Sequence, residues 1–400
     1  MRPVLLSAYT MTSCLGRGLD ATRSALAESR SGLTPCRFDT VDLDTFVGEI
    51  AGVDDQAIPN GLEGFDCRNN RAAELALAQD DFTPAVDALA QRYGRDRIGV
   101  FIGTSTAGIL QAELAYRRRN PVDGSLPADF DYRRTHNTFS VADFTRARLG
   151  LEGPCAAIST ACSSSAKAFA SAARFIAAGV IDAAVVGGVD TLCLTTLYGF
   201  TSLELLSAQP CRPYDAERDG ISIGEAAAFF LLEGAHGRGS PEDVWLLGAG
   251  ESCDAYHMSS PHPEGRGARM AMESALATAG LMPVQIDYIN LHGTATRSND
   301  AAEDNAVHGL FGQGVPCSST KGMTGHTLGA AGAVEAIISV LAIAEGRLPG
   351  SPGTHRVDPE IKVTYEIAGK RKAIERVMSN SFGFGGTNCS LVFGRAAPVA

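Results

Sequence analysis

Cys162 stands at the end of Ala156-Ala157-Ile158-Ser159-Thr160-Ala161 and at the head of Ser163-Ser164-Ser165. The apolar, β-prone residues before it predict a strand over 156–160. The small residues after it predict a helix over 164–178, closed by Gly179. A cysteine at such a corner aims its sulfur at the helix N-terminus, where unpaired N–H groups and the positive dipole end favour thiolate. A thiolate is a nucleophile, and an acyl carbon is its usual target. The chain has nine further cysteines, and a free cysteine is most often a small buried hydrophobe, so the count alone singles out none.

Two histidine segments supply candidate partners. Asn290-Leu291-His292-Gly293-Thr294-Ala295-Thr296 follows a strand-like run over 286–291. Ser319-Thr320-Lys321-Gly322-Met323-Thr324-Gly325-His326 leads into a helix expected over 332–345. A lone histidine is most often structural. His292 and His326, however, both lie at element ends among glycines and threonines, where functional groups collect on α/β scaffolds. Lys321 is one of only five lysines; in a loop of glycines and threonines it reads as a compact charge held for a carboxylate, with an ordinary surface lysine as the alternative. The glycine-rich stretch 380–388 has no phosphate-loop pattern and reads as a pocket wall.

The elements that must position these groups alternate. Strands are expected over 98–103, 183–187, 226–232, 244–248 and 390–394, with a further helix over 267–279. That alternation argues an α/β protein with buried sheets. Residues 235–243, polar and rich in turn formers, divide the chain into 1–240, holding the cysteine, and 241–400, holding both histidines. The chain of 400 residues is 45% hydrophobic and 20% charged, hence globular, and its net charge of −11 excludes a chain-wide nucleic-acid footprint. Ten cysteines without a C-x-x-C pair or metal-type spacing suit reduced thiols in a cytoplasmic protein and no metal site. The N-terminal apolar run is too short for a signal peptide, and the apolar helix over 331–344, interrupted by Glu335, reads as too short for a membrane span.

The motifs together resemble the β-ketoacyl-acyl carrier protein synthases, in their elongating branch. The matching segments are Thr160-Ala161-Cys162-Ser163-Ser164, His292-Gly293-Thr294-Ala295-Thr296 with Asp300 and Glu303, Lys321-Gly322-Met323-Thr324-Gly325-His326, and 380–388. Residues 254–261, Arg212-Pro213-Tyr214-Asp215 and Arg218-Asp219-Gly220 also match, in order and nearly end to end. The resemblance implies a thiolase-like five-layer αβαβα fold of two similar halves and a homodimer, with a heterodimer of related subunits as the alternative. It implies acyl transfer from acyl carrier protein to Cys162 and decarboxylative condensation with malonyl-carrier protein, in fatty-acid or polyketide and polyene synthesis.

It assigns the oxyanion hole to the backbone N–H groups of Cys162 and Phe384, and makes Phe384 a gate. His292 and His326 are expected to hold the malonyl thioester carbonyl, with Lys321 and Glu335 positioning His326. Thr294 and Thr296, with Ser259 and Ser260, are expected along the phosphopantetheine arm, which arrives on the carrier; no bound cofactor is implied. An acidic carrier needs a basic patch on this acidic chain, for which Arg133 and Arg134, then Arg68 and Arg71, are the candidates. The stretch 199–212 is shorter than in typical elongating synthases, which leaves carrier contacts there open. Competing readings are a chain-length-factor-type partner, which would lack the cysteine, and a coenzyme A-dependent thiolase using Cys389. A cysteine hydrolase would leave a histidine and Lys321 unexplained.

Overall fold

The computed structural model of the chain describes residues 1–234 and 240–395. Its main strands are β1 (Val4–Ser13), β2 (Ile98–Gly103), β3 (Cys155–Ile158), β4 (Ala183–Asp190), β5 (Ala226–Gly234), β6 (Val244–Cys253), β7 (Tyr288–Asn290), β8 (Pro316–Ser318), β9 (Thr364–Tyr365), β10 (Arg376–Phe382) and β11 (Thr387–Arg395). They form one sheet in the order β9-β8-β7-β10-β11-β6-β1-β5-β4-β2-β3, and a short strand Gly16–Arg17 adds to β1.

This order contains a repeat. Taking β1 to β5 as strands one to five, the first run is ordered 3-2-4-5-1. Taking β6, β7, β8, β10 and β11 likewise, the second run is also ordered 3-2-4-5-1, with β9 added at its edge. The pairings agree strand for strand. In both runs the first and fifth strands, and the fourth and fifth, are antiparallel. The second strand is parallel to the third and to the fourth. The two runs meet where Val4 and Leu5 pair with Leu246 and Trp245. The boundary stretch 235–243 lies mostly outside the described residues.

Both faces of each run are covered, which explains the near-continuous apolar strands. On β4, Ala184 and Val186 join the central core while Ala183, Val185 and Val189 join the outer one, the period-two alternation of a pleat. Helix α1 (Arg68–Leu77) lies on the outer face of the first run. Helices α2 (Ser164–Ala177) and α6 (Ala331–Glu345) fill the centre between the two runs. Helices α4 (Arg266–Ala279) and α5 (Arg297–Phe311) cover the far side, while α3 (Leu194–Ser202) flanks a smaller cluster. The result is the expected five-layer thiolase-like arrangement. In each run the third strand leads into a central helix, β3 into α2 and β8 into α6.

Among the elements that escaped the sequence pattern, two did so because buried polar residues mask them. β10 carries buried Ser379, Asn380 and Ser381. On α5, the buried Asp300, Glu303 and Asp304 stand where apolar residues would have marked the inward face. The apolar helix also differs from expectation. With its preceding turn it runs from Leu328 to Glu345, 18 residues of mean hydropathy 1.8, so length does not exclude a span. It is instead the core helix, 89% buried inside the protein.

The central helices cross at Gly332, where a Cβ would lie 2.7 Å from the Ala166 nitrogen and 2.8 Å from its Cβ. Backbone cannot yield there, so Gly332→Val is expected to destabilise the protein by about 2 kcal/mol or more despite the better helix former. Urea denaturation checks this as a lowered midpoint with an unchanged slope.

Candidate active site

Cys162 sits one residue after Ala161, whose φ of +52° is costly for a residue with a Cβ. That kink turns the chain from β3 toward α2 and leaves Cys162 only 7% exposed. The expected thiolate is not the resting form. Burial pushes the Cys162 thiol up to about 11, against the pull of the Lys321 charge and of the Phe384 backbone N–H, while the charges of Glu335 and Asp190 push it further up. Desolvation outweighs the helix terminus here.

His326 places Nε2 3.0 Å from the Cys162 sulfur. The Leu328 backbone N–H donates to its Nδ1 at 3.3 Å. His292 lies beside it, with ring centroids 5.3 Å apart and planes at 84°. Lys321 Nζ is 3.4 Å from His292 Nδ1 and also donates to the His292 carbonyl and to Glu335 Oε1. An ammonium has three protons, and these are three acceptors. Lys321 therefore positions His292, not His326 as expected from sequence, because its side chain runs beneath the His292 backbone.

Burial first, then the Lys321 charge, hold both histidines well below the usual imidazole range, with His326 adding to the effect on His292. Both rings are thus neutral. A neutral imidazole that accepts at Nδ1 carries its proton on Nε2. The partners of the two Nδ1 atoms therefore assign Nε2–H to both histidines; His326 Nε2 is 3.0 Å from the sulfur, and a ring nitrogen of His292 lies within 4.8 Å of it. The His292 backbone is fixed in turn by Glu303, which accepts from the His292 and Gly293 N–H groups at 2.8 Å each. Burial raises the Glu303 carboxyl to about 7.

A cleft opens onto these groups. Ser259, Ser260, Thr294 and Thr296 line its polar side, together with Asp254, Ser298 and Asn299. The Thr294 and Thr296 hydroxyls are 2.9 Å apart, and Thr296 also caps α5 by accepting from Asn299. Phe200, Leu205, Ile221, Phe382 and Phe384 line its apolar side. Phe384 stands between Gly383 and two glycines of positive φ, Gly385 and Gly386, and its ring lies 5.8 Å from that of Phe200.

Glu335 is buried on α6 against Lys321, the pairing expected from the sequence, but it does not line the cleft and so does not take the substrate-binding place also expected of it. Two expected docking residues stand elsewhere. Arg68 is 4% exposed and locked by Glu225, Asp54 and Glu49, so it is an internal ion-pair residue rather than a docking group. Arg71 is engaged by Asp66. Arg133 and Arg134 are exposed on the turn Tyr132–His136. Asp254 lies in a segment already marked by its motif, whereas Phe200, Leu205 and Ile221 carry no sequence signal because any apolar residue would read the same.

The ligand atoms of Cys162, His292 and His326 lie within 4.8 Å of one another, as in a metal site. The Lys321 ammonium lies beside His292, and the partners at the two Nδ1 atoms favour rings that donate from Nε2. The site is arranged to receive negative charge.

Residues 1–236 match the family described as Beta-ketoacyl synthase, N-terminal domain, and residues 245–355 match Beta-ketoacyl synthase, C-terminal domain. The 3-oxoacyl-[acyl-carrier-protein] synthase 2 of Vibrio cholerae is 34% identical over 424 residues, covering 98% of this chain and 99% of that protein. Its namesake from Rhizobium meliloti is 38% identical, covering 81% and 79%. Among solved structures, a ketosynthase (ApeO) in complex with its chain length factor (ApeC) from Xenorhabdus doucetiae superposes with a TM-score of 0.88 at 38% identity, covering 99% of this chain and 98% of that one. A beta-ketoacyl synthase from Burkholderia phymatum gives 0.87 at 29%, covering 99% and 100%.

The electrostatics predict how reactive the sulfur is. Lys321→Met removes the charge that favours thiolate, so the Cys162 thiol becomes harder to ionise and its alkylation slows by about tenfold. Iodoacetamide labelling of Cys162 at a fixed pH near 8 measures it.

Proposed function

The chain belongs to the β-ketoacyl synthase family, and we propose that Cys162, His292 and His326 perform its decarboxylative Claisen condensation, extending an acyl chain by two carbons. It is a condensing acyltransferase of the 3-oxoacyl-[acyl-carrier-protein] synthase type. The observation that carries the assignment of roles is the pair of neutral Nε2–H donors converging beside a buried thiol.

In the first half-reaction the Cys162 sulfur attacks the acyl thioester of an acyl carrier protein. The N–H groups of Cys162 and Phe384 stabilise the tetrahedral oxyanion. The carrier thiol leaves with the proton that Cys162 gives up. In the second, a malonyl thioester places its carbonyl oxygen between the two Nε2–H groups. The bond to the carboxylate carbon breaks, carbon dioxide leaves, and the electron pair becomes an enolate held by both histidines. The enolate carbon attacks the Cys162 thioester, the C–S bond breaks, and the released sulfur takes up a proton from water. Burial sharpens each donor, because a hydrogen bond to a developing oxyanion is worth about 3 kcal/mol in a dry, preorganised site.

The acyl carrier protein is the proposed partner, docking by way of exposed Arg133 and Arg134 and threading its phosphopantetheine arm past Ser259, Ser260, Thr294 and Thr296. The arm arrives with the carrier, and the reaction calls for no resident cofactor or metal. A homodimer is the simplest assembly. The chain length factor bound to the Xenorhabdus ketosynthase favours a second arrangement, a heterodimer with a related subunit. The burial of the apolar Leu328–Glu345 helix supports a soluble, cytoplasmic enzyme. A non-catalytic subunit does not account for an intact Cys162–His326 pair. A thiolase would need Cys389 in the cleft, yet Cys389 is fully buried on β11.

With acyl- and malonyl-carrier proteins, Cys162→Ala is expected to abolish condensation while malonyl decarboxylation persists. His292→Ala and His326→Ala are each expected to lower decarboxylation by about 10²–10³. Carbon dioxide release and product analysis report the two activities separately. Wild-type condensation by Cys162→Ala would defeat the proposal.

A further inference from the structure

We propose that Asp190 is a positioning residue that fixes the tautomer of His326 by holding the kink at Leu328 and Gly329. This rests on the reading of His326 as an Nε2–H donor.

Asp190 ends β4 and is fully buried. Its Oδ1 accepts from the Thr104 hydroxyl at 2.7 Å, the Ser105 N–H at 2.9 Å, and the Thr106 N–H and hydroxyl at 2.9 and 2.7 Å. Its Oδ2 accepts from the Ser105 hydroxyl at 2.7 Å and N–H at 3.0 Å, and from the Gly329 N–H at 2.5 Å. The carboxylate thus joins the loop after β2 to the chain three residues beyond His326. A buried acid surrounded by donors on every side needs no cation, and none of these donors is the substrate's.

What the Gly329 contact holds is strained. Leu328 has φ of +52°, a left-handed conformation that a residue with a branched side chain adopts only at a cost. The strain has a use: in this conformation the Leu328 N–H reaches His326 Nδ1 at 3.3 Å. Relaxing φ at Leu328, with α6 fixed behind it, turns the preceding peptide and carries that N–H away. His326 Nδ1 is then free to take the proton, which leaves Nε2 an acceptor facing an oxyanion. The approach is too close for any other residue at 329: a Cβ there would lie 2.7 Å from Asp190 Oδ2 and 2.9 Å from the Ser105 nitrogen.

Two substitutions break the contact from opposite sides. In Asp190→Asn the amide oxygen can keep the four Oδ1 donors, while the amide N–H₂ turns against the Gly329 N–H. In Gly329→Ala the new methyl pushes the backbone off an unchanged carboxylate. Each is expected to lower kcat for malonyl-carrier decarboxylation by about tenfold, with KM within about twofold. In enzyme labelled with ¹⁵N-histidine, each is expected to move the His326 ring signals from a pure Nε2–H pattern toward a mixture with Nδ1–H. A loss of stability alone would move neither the kcat-to-KM split nor the tautomer signature. If one variant does not fold, the other decides. A folded variant with wild-type decarboxylation or an unmixed His326 signal overturns the proposal. His326→Ala is assayed alongside: if it decarboxylates malonyl carrier at the wild-type rate, the fault lies in the role given to His326 and not in Asp190.

Discussion

Two neutral imidazoles donate to one oxygen from Nε2 when a donor at each Nδ1 fixes that tautomer. Most of what surrounds Cys162 follows from that constraint. Neutrality comes from burial. The donor for His292 is a lysine ammonium, and the donor for His326 is a backbone N–H on a strained turn. A buried ammonium is costly unless paired, so Lys321 brings Glu335 with it. Glu335 must then sit on a helix that passes under the site, which is α6. The positive charge that orders His292 also draws the Cys162 thiol partway down against its own burial.

The fold meets this constraint through duplication. Each run of five strands sends its third strand into a central helix, and the two helix approaches converge from opposite halves. The first approach brings Cys162 and the second brings Lys321 and His326, while His292 follows the second strand of the second run. A nucleophile on one half and its donors on the other are therefore held by the packing of α2 against α6, and a site of sub-ångström tolerance rests on the layer with the fewest alternatives for repacking.

Much of this was legible in the sequence. The strand-to-helix corner at Cys162, the glycine and threonine neighbours of both histidines, and the rarity of lysine point to the reacting groups by themselves. Most of the strands and all three helices so read lie within a few residues of where they fold. Pairings were less legible. Lys321 precedes His326 by five residues, which suggests a local partnership, yet its long side chain reaches back under His292. Arg68 looks like a surface cation because a single sequence does not show that Glu225, 157 residues away, lies against it. The duplication leaves no visible trace because it lives in strand order rather than residue identity. The thiol state of Cys162 depends on burial, which the corner alone could not reveal.

The most direct test of the account is the mass of the enzyme itself through one turnover. After mixing with an acyl carrier protein, the chain is expected to gain one acyl group, mapped to the Cys162 peptide. Added malonyl carrier should discharge it as a β-ketoacyl product, with one carbon dioxide released per adduct lost. An acyl group on any other residue, or one lost to water as free acid with no new carbon–carbon bond, would contradict it.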